Sequence, residues 1–355
     1  MKKIYLLLST FLLVYSGFAQ NQEDGGEIND STLVVAEGQE AQIAYNEGIE
    51  FFTAKDYQKS IEKFTEAISF NPDFAKAYLN RGSSKKELKL YTEAIIDLDS
   101  AIVKDETLSK PYYLKARIFD KQDKKEEALT SYLKAEEKGY KKANLFYFIG
   151  VIKFQKEAYD EAIEYYTKAI AQDPNHAFAY NDRGSSKRKK EDITGAIADY
   201  EKATILDPKL ALAFDNLSVV KGKNQDAEGA IAASNKAIQI DPEFYIAYNN
   251  RGSLFFFTDE YDKAIADFEK AIEINPEYTF AYNNLGNAKH KLKDYEGSVK
   301  ALDKAIELNP NYGIAYMNRA ASREMLRDAK GACADWNKAV ELGVEQAKQY
   351  TAGCN

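Results

Sequence analysis

Residues 245–278 read YIAYNNRGSLFFFTDEYDKAIADFEKAIEINPEY, and the way this stretch recurs decides the fold. Its Pro276 has Pro242 and Pro310 at 34 residues on either side, and Pro208 and Pro174 continue the series. Pro72 lies 102 residues before Pro174, three more periods. A fixed spacing of this size takes precedence over any other reading. Of seven prolines only Pro111 falls off the lattice. With proline at position 32, units begin at 41, 75, 109, 143, 177, 211, 245, 279 and 313, and nine units cover 41–346.

Positions not used to set the lattice obey it. Position 27 is Ala in all nine units, from Ala67 to Ala339. Position 20 is Ala in seven, with Ser60 and Ser298 as exceptions, and position 8 is Gly in six. Position 4 is aromatic in eight units and position 24 in six. Positions 4 and 8, and 20, 24 and 27, fall at helical i, i+3 and i+4 spacing, so each unit reads as two helices. Small residues at 8, 20 and 27 allow close approach, and the aromatics fill the space between. Acidic residues at position 16 (Asp56, Asp192, Asp226, Asp294, Asp328) stand where a second helix needs an N-cap. Asn or Asp before the lattice proline ends that helix, because the residue before proline avoids the helical region. Neither helix buries its apolar face alone, so neighbouring units must stack. Unit 3 departs from the pattern, with Glu106 and Tyr140 where proline is expected, and so does unit 6, with Ser234 at position 24. Irregular packing is expected there.

The motif Ala247-Tyr248-Asn249-Asn250-Arg251-Gly252, with Asp262-Lys263-Ala264-Ile265, Lys270-Ala271-Ile272 and Asn275-Pro276, resembles the tetratricopeptide repeat. The resemblance covers 41–346. It implies an all-α, right-handed superhelical solenoid of helix–turn–helix repeats, with first helices lining a concave surface that binds protein or peptide, and it implies no reaction. In that family a clamp for acidic chaperone C-termini uses Lys and Asn at positions 5 and 9, Asn at 6, then Lys and Arg at 2 and 6. This chain departs from it: unit 1 has Tyr45 and Ile49 at 5 and 9, and no unit has Arg at 6.

Composition narrows the function. The 48 Lys+Arg against 56 Asp+Glu leave a net charge of −8 and argue against a nucleic-acid binder. Two cysteines and two histidines leave little material for a metal or acid–base centre, so no cofactor or metal is expected. His176, at a unit boundary, and His290, near a helix end, read as surface residues. Gly82-Ser83-Ser84-Lys85 and Gly184-Ser185-Ser186-Lys187 hold positions 8–11 of first helices, so they read as packing, not as phosphate loops. No nucleophile–base arrangement stands above background, and the protein is expected not to be an enzyme.

At the N-terminus, Lys2 and Lys3 precede the apolar run Ile4 to Val14 and the small-x-small site Gly17-Phe18-Ala19. This predicts a cleaved signal sequence over 1–19, hence export to the periplasm or beyond, with no membrane anchor left after cleavage. Residues 20–40 hold six acidic and no basic residues and read as a flexible acidic leader. At the other end, Val344 to Tyr350 reads as a final helix, antiparallel to the one holding Cys333, with residues 347–355 as its end and a tail. The pair would bring Cys333 and Cys354 to one level, where a disulfide would pin the terminal cap. Two free thiols are the alternative.

Binding residues are sought at first-helix positions that packing leaves over. Position 2 turns apolar in units 5–9, as Phe178, Leu212, Ile246, Phe280 and Ile314, with Phe256 and Phe257 beside them. Position 6 carries amides, among them Asn216, Asn250 and Asn284. An apolar ledge beside an amide ladder suits an extended peptide. The alternative is that the ledge seals neighbouring units and the amides bridge adjacent helices. Basic residues at first-helix ends, such as Lys85-Lys86 and Lys187 to Lys190, read as complements to the helix dipole, with a strip for an acidic partner as the other reading. The expected function is an exported interaction scaffold. Its 25 Tyr, 19 Phe and 1 Trp keep glycan or cell-wall binding as the rival.

Overall fold

The computed structural model describes residues 39–354. The expected signal sequence, all but the last two residues of the acidic leader, and Asn355 lie outside the described residues. Gln39 and Glu40, assigned to the leader, instead open the first helix.

The helices alternate first and second in each unit. They are α1 (Gln39–Thr53) and α2 (Tyr57–Phe70), α3 (Ala75–Glu87) and α4 (Tyr91–Lys104), α5 (Lys110–Lys121) and α6 (Lys125–Glu137), α7 (Ala143–Gln155) and α8 (Tyr159–Gln172), α9 (Ala177–Lys189) and α10 (Ile193–Leu206), α11 (Ala211–Lys223) and α12 (Ala227–Ile240), α13 (Tyr245–Phe257) and α14 (Tyr261–Ile274), α15 (Thr279–Lys291) and α16 (Tyr295–Leu308), and α17 (Gly313–Met325) and α18 (Ala329–Glu341). A 3₁₀ turn (Glu345–Ala347) and the short α19 (Lys348–Thr351) follow. The expected final helix is therefore broken into two pieces. Among the described residues the protein is an all-α array of helix–turn–helix repeats with no strand. These residues fall into two compact units, 39–182 and 183–354.

Local chemistry sets the helix limits. Asp56, Asp192, Asp226, Asp294 and Asp328 each accept a hydrogen bond from the backbone N–H three residues on, capping α2, α10, α12, α16 and α18. At the opposite ends, Asn71, Asp173, Asp207, Asp241, Asn275 and Asn309 accept from the N–H two residues on, an Asx turn before or beside the lattice proline. Where proline is missing after α6 and α18, Gly139 and Gly343 take positive φ instead. There Tyr140 N–H donates to Ala135 O and Val344 N–H to Ala339 O. This Schellman closure replaces the proline stop.

The close approach within each unit rests on position 8. A Cβ added to Gly48, Gly150 or Gly252 would meet the ring of Phe64, Tyr166 or Phe268 at 2.6–2.8 Å. Position 27 alanines are fully buried in all nine units. The two serines that interrupt the alanines of position 20 meet a serine of the next unit. Ser60 Oγ lies 2.9 Å from Ser84 Oγ and Ser298 Oγ 2.7 Å from Ser322 Oγ. In unit 6, Ser234 lacks an aromatic ring but pairs with Ser218 at 2.5 Å.

Positions 7 and 23 form a second intra-unit pair, which the 34-residue spacing alone does not reveal. Arg81, Arg183, Arg251 and Arg319 each bond both oxygens of the aspartate sixteen residues on, Asp97, Asp199, Asp267 and Asp335. Where position 7 is Leu217 or Leu285, position 23 is Ala233 or Ala301; in unit 1 the charges reverse, with Lys63 2.6 Å from Glu47. In these seven units the two positions change together because they face each other, while unit 3 pairs Lys115 with Asp99 of the preceding unit.

Candidate functional site

First helices of successive repeats are tied by hydrogen bonds spaced 35 residues apart. In 39–182, Asn80 Nδ2 donates to Tyr45 Oη at 2.8 Å, and Tyr147 Oη donates to Asp182 at 2.9 Å. In 183–354, Asn250 Nδ2 donates to both oxygens of Asp215 at 3.1 Å, Asn284 Nδ2 to Asn249 at 2.9 Å and Asn318 Nδ2 to Asn283 at 2.8 Å. The amides of Asn250 and Asn284, expected to meet a peptide, are thus buried and engaged between repeats, because position 6 of one first helix faces position 5 of the preceding one. Asn216 is half-buried.

The ledge is only partly open. Ile246 is buried with Tyr278 and Ala281, and Phe256 is buried against Phe268. Neither is the free surface that the sequence pattern suggested. Leu212, Phe280 and Ile314 are half-buried, and Phe280 packs between Tyr278 and Tyr312, with ring centroids at 5.7 and 5.5 Å. Phe178, also half-buried, belongs to the other compact unit. Phe257 is the exposed one, at 57%.

Two buried carboxylates carry unusual proton affinities. Burial pushes Asp182 up to about 6, against the opposing hydrogen bonds from Tyr147 and Asn181. Burial likewise pushes Asp215 up to about 6, against the Asn250 bond and the attraction of Arg188. These groups sit where first helices meet, so removal from water dominates.

The histidines are half-buried and not fully exposed. His176 Nδ1 accepts from Ala179 N–H at 3.2 Å at the start of α9, and its ring lies 4.8 Å from Tyr147. His290 Nδ1 lies 2.9 Å from Ser322 Oγ, and burial lowers the proton affinity of both rings. The His290–Ser322 pair resembles a base and a nucleophile, but Ser322 is fully buried, so no substrate reaches its hydroxyl. The basic residues at first-helix ends are held by carboxylates, not only by helix dipoles. Lys85 lies 2.7 Å from Asp97 and Lys187 2.8 Å from Asp199. Among the described residues no three His, Cys, Asp or Glu side chains gather as a metal site requires, and no helix is long and apolar enough to cross a membrane.

At the C-terminus, Cys333 and Cys354 are joined in a disulfide with Cα atoms 5.3 Å apart. Tyr350 stacks on Trp336 at 5.3 Å beside it. The final turns thereby pack against Ala332 and Trp336 of α18.

Tetratricopeptide-repeat family models match residues 143–176, 245–278 and 279–312, and a second set matches 109–137 and 179–210. The chain is a tetratricopeptide-repeat protein. It is 29% identical over 132 residues to a DnaJ homolog subfamily C member 7 homolog of Dictyostelium discoideum, covering 36% of this chain and 24% of that protein. It is 32% identical over 94 residues to the human mitochondrial import receptor subunit TOM70, covering 25% of this chain and 16% of that one. The chain thus spans about a quarter or less of these relatives. A solved tetratricopeptide repeat protein from Parabacteroides merdae shares the fold, with a TM-score of 0.56 at 17% identity over 69% of this chain and 97% of its own.

Proposed function

We propose that the protein is a non-catalytic interaction scaffold, exported from the cell, that binds an extended segment of a partner protein on the first-helix face of residues 183–354. The observation that carries this reading is the half-buried apolar set Leu212, Phe280 and Ile314 at position 2 of α11, α15 and α17, with the exposed Phe257 at the end of α13. Partly exposed apolar surface marks a contact site. Because the amides beside it are engaged between repeats, affinity comes from apolar anchors rather than from an amide ladder. The rival glycan reading needs open aromatic faces, and position 24 offers none: Phe64, Tyr132, Tyr166, Tyr200, Phe268 and Trp336 are all buried. Export rests on the N-terminal sequence pattern. A disulfide between Cys333 and Cys354 favours the same oxidising destination.

Selection from a library of random dodecapeptides, with the full chain as bait, tests the reading. Recovered peptides are expected to bind wild type and to lose about tenfold or more on Leu212→Ser with Phe280→Ser, since each truncated apolar anchor is worth about 1–2 kcal/mol. The helical circular dichroism stays unchanged. Binding that ignores both substitutions removes this face from consideration.

A further inference from the structure

Among the arginines of the first helices in 183–354, Arg188 stands apart. Arg183, Arg251, Arg319 and Arg323 each bond an aspartate of their own repeat. Arg188 lies on the last turn of α9 at position 12, where no position-23 aspartate meets it. It is 8% exposed, and its buried Nε has no hydrogen-bond partner among the described residues. A guanidinium is a planar fork of donors that cannot discharge by losing its proton, so a buried one calls for an acceptor. Asp215 on α11 feels the charge of Arg188 but makes its hydrogen bonds to Asn250. Two turns further along α11 is Lys223, whose ammonium is lowered by burial and then by repulsion from Arg188 and Lys189, with Glu191 opposing. Arg188, Lys189 and Lys223 therefore crowd positive charge at one point of a chain whose net charge is −8.

We infer that Arg188, assisted by Lys223, anchors the carboxylate of an internal Asp or Glu in the peptide bound on this face. The inference rests on the peptide-binding reading above. A carboxylate meets the outer amino groups of the fork with two parallel hydrogen bonds. Leu212, the nearest position-2 anchor, is on the next first helix, about 15 Å along the axis and about 10 Å across from position 12 of α9, or about 18 Å away. An extended peptide covers that distance in about five to six residues. The partner's motif is therefore an apolar anchor with an acidic residue about five to six positions away.

The test uses the full chain and the selected peptides, synthesised with acetylated and amidated ends. An acidic residue at that register is expected. Its change to Gln weakens binding about tenfold or more, the scale of a charge-assisted hydrogen bond. Arg188→Gln gives the same loss and adds nothing once the peptide already carries Gln. Asp215→Asn keeps an acceptor for Asn250, removes the competing carboxylate and strengthens binding of the acidic peptide; Lys223→Gln weakens it. These two variants decide the matter if Arg188→Gln fails to fold. Selected peptides without an acid, or acidic peptides indifferent to Arg188, Asp215 and Lys223, overturn the anchor and leave the apolar groove standing. Binding only through a free C-terminal carboxylate also overturns it. Recovery of no peptide overturns both.

Discussion

Replacing position 15 by glycine is expected to stabilise this protein. Lys55, Lys89, Asp123, Glu157, Glu191, Gln225, Asp259, Lys293 and Arg327 all take φ between 58° and 66°, one per unit and none of them glycine. Each stands just past a first helix that closes as α1 does, where Lys55 N–H donates to Phe52 O and Asp56 N–H to Phe51 O. The Cβ of an L-residue is crowded in this left-handed conformation, and glycine is not. All nine side chains are exposed, so truncation loses little packing. Lys→Gly at 55, 89 or 293 should each gain about 0.5–1 kcal/mol, and with Gln225→Gly the four together about 2–4, since the sites lie in separate repeats. Urea denaturation followed by circular dichroism measures this. Two controls isolate the cause. Lys89→Ala keeps a Cβ and should gain nothing, and Lys236→Gly, inside α12, should cost about 1 kcal/mol. Lys89→Gly no more stable than Lys89→Ala would falsify the strain argument.

Further expectations concern single contacts. Asp267→Ala leaves Arg251 without its bidentate partner and should cost about 2–3 kcal/mol, less than a wholly buried pair because Arg251 is partly exposed. Adding Arg251→Leu copies the Leu–Ala arrangement of units 6 and 8 and should recover most of the loss, as chemical denaturation of the double variant would show. Asp215 ionises near 6 in the folded chain and near 3.8 unfolded, so the native state holds the extra proton between those values. Its contribution to stability should therefore fall as pH rises from about 4 to 6, as does that of Asp182, and Asp215→Asn should remove its own share of that slope and be more stable than wild type at pH 8. A slope unchanged by the substitution contradicts the assignment. Thiol titration of the denatured, unreduced protein should find no free thiol. Cys354→Ser should speed amide exchange in α18 selectively, through the loss of a loop closure worth roughly 3 kcal/mol.

The repeat was readable because its strongest constraints are local or periodic. Proline and its preceding Asn or Asp stop a helix wherever they stand, and the position 27 alanines tolerate no larger side chain between packed helices. Aspartate caps at position 16 announce themselves for the same reason. Contacts across helices were harder to see. Arg251 and Asp267 are sixteen residues apart on opposing helices, and only their joint replacement by leucine and alanine in other units hints that they meet. The bonds from Asn250 to Asp215 and from Asn284 to Asn249 span one repeat plus one residue. A period-34 comparison aligns like with like and passes over that offset, and so those amides looked free. The left-handed residues at position 15 were hidden because Lys, Glu and Gln stand where glycine would have signalled the turn. Arg188 was legible only as part of a basic run, and its isolation emerges from the pairing of every neighbouring arginine.

The central claim is that a peptide lies on the first helices of 183–354. Hydrogen–deuterium exchange of the full chain, with and without a selected peptide, measures this directly. Slowed exchange in α11, α13, α15 and α17, with α12, α14 and α16 unchanged, is the result the account predicts. Slowing confined to the second helices, or to residues 39–182, would contradict it.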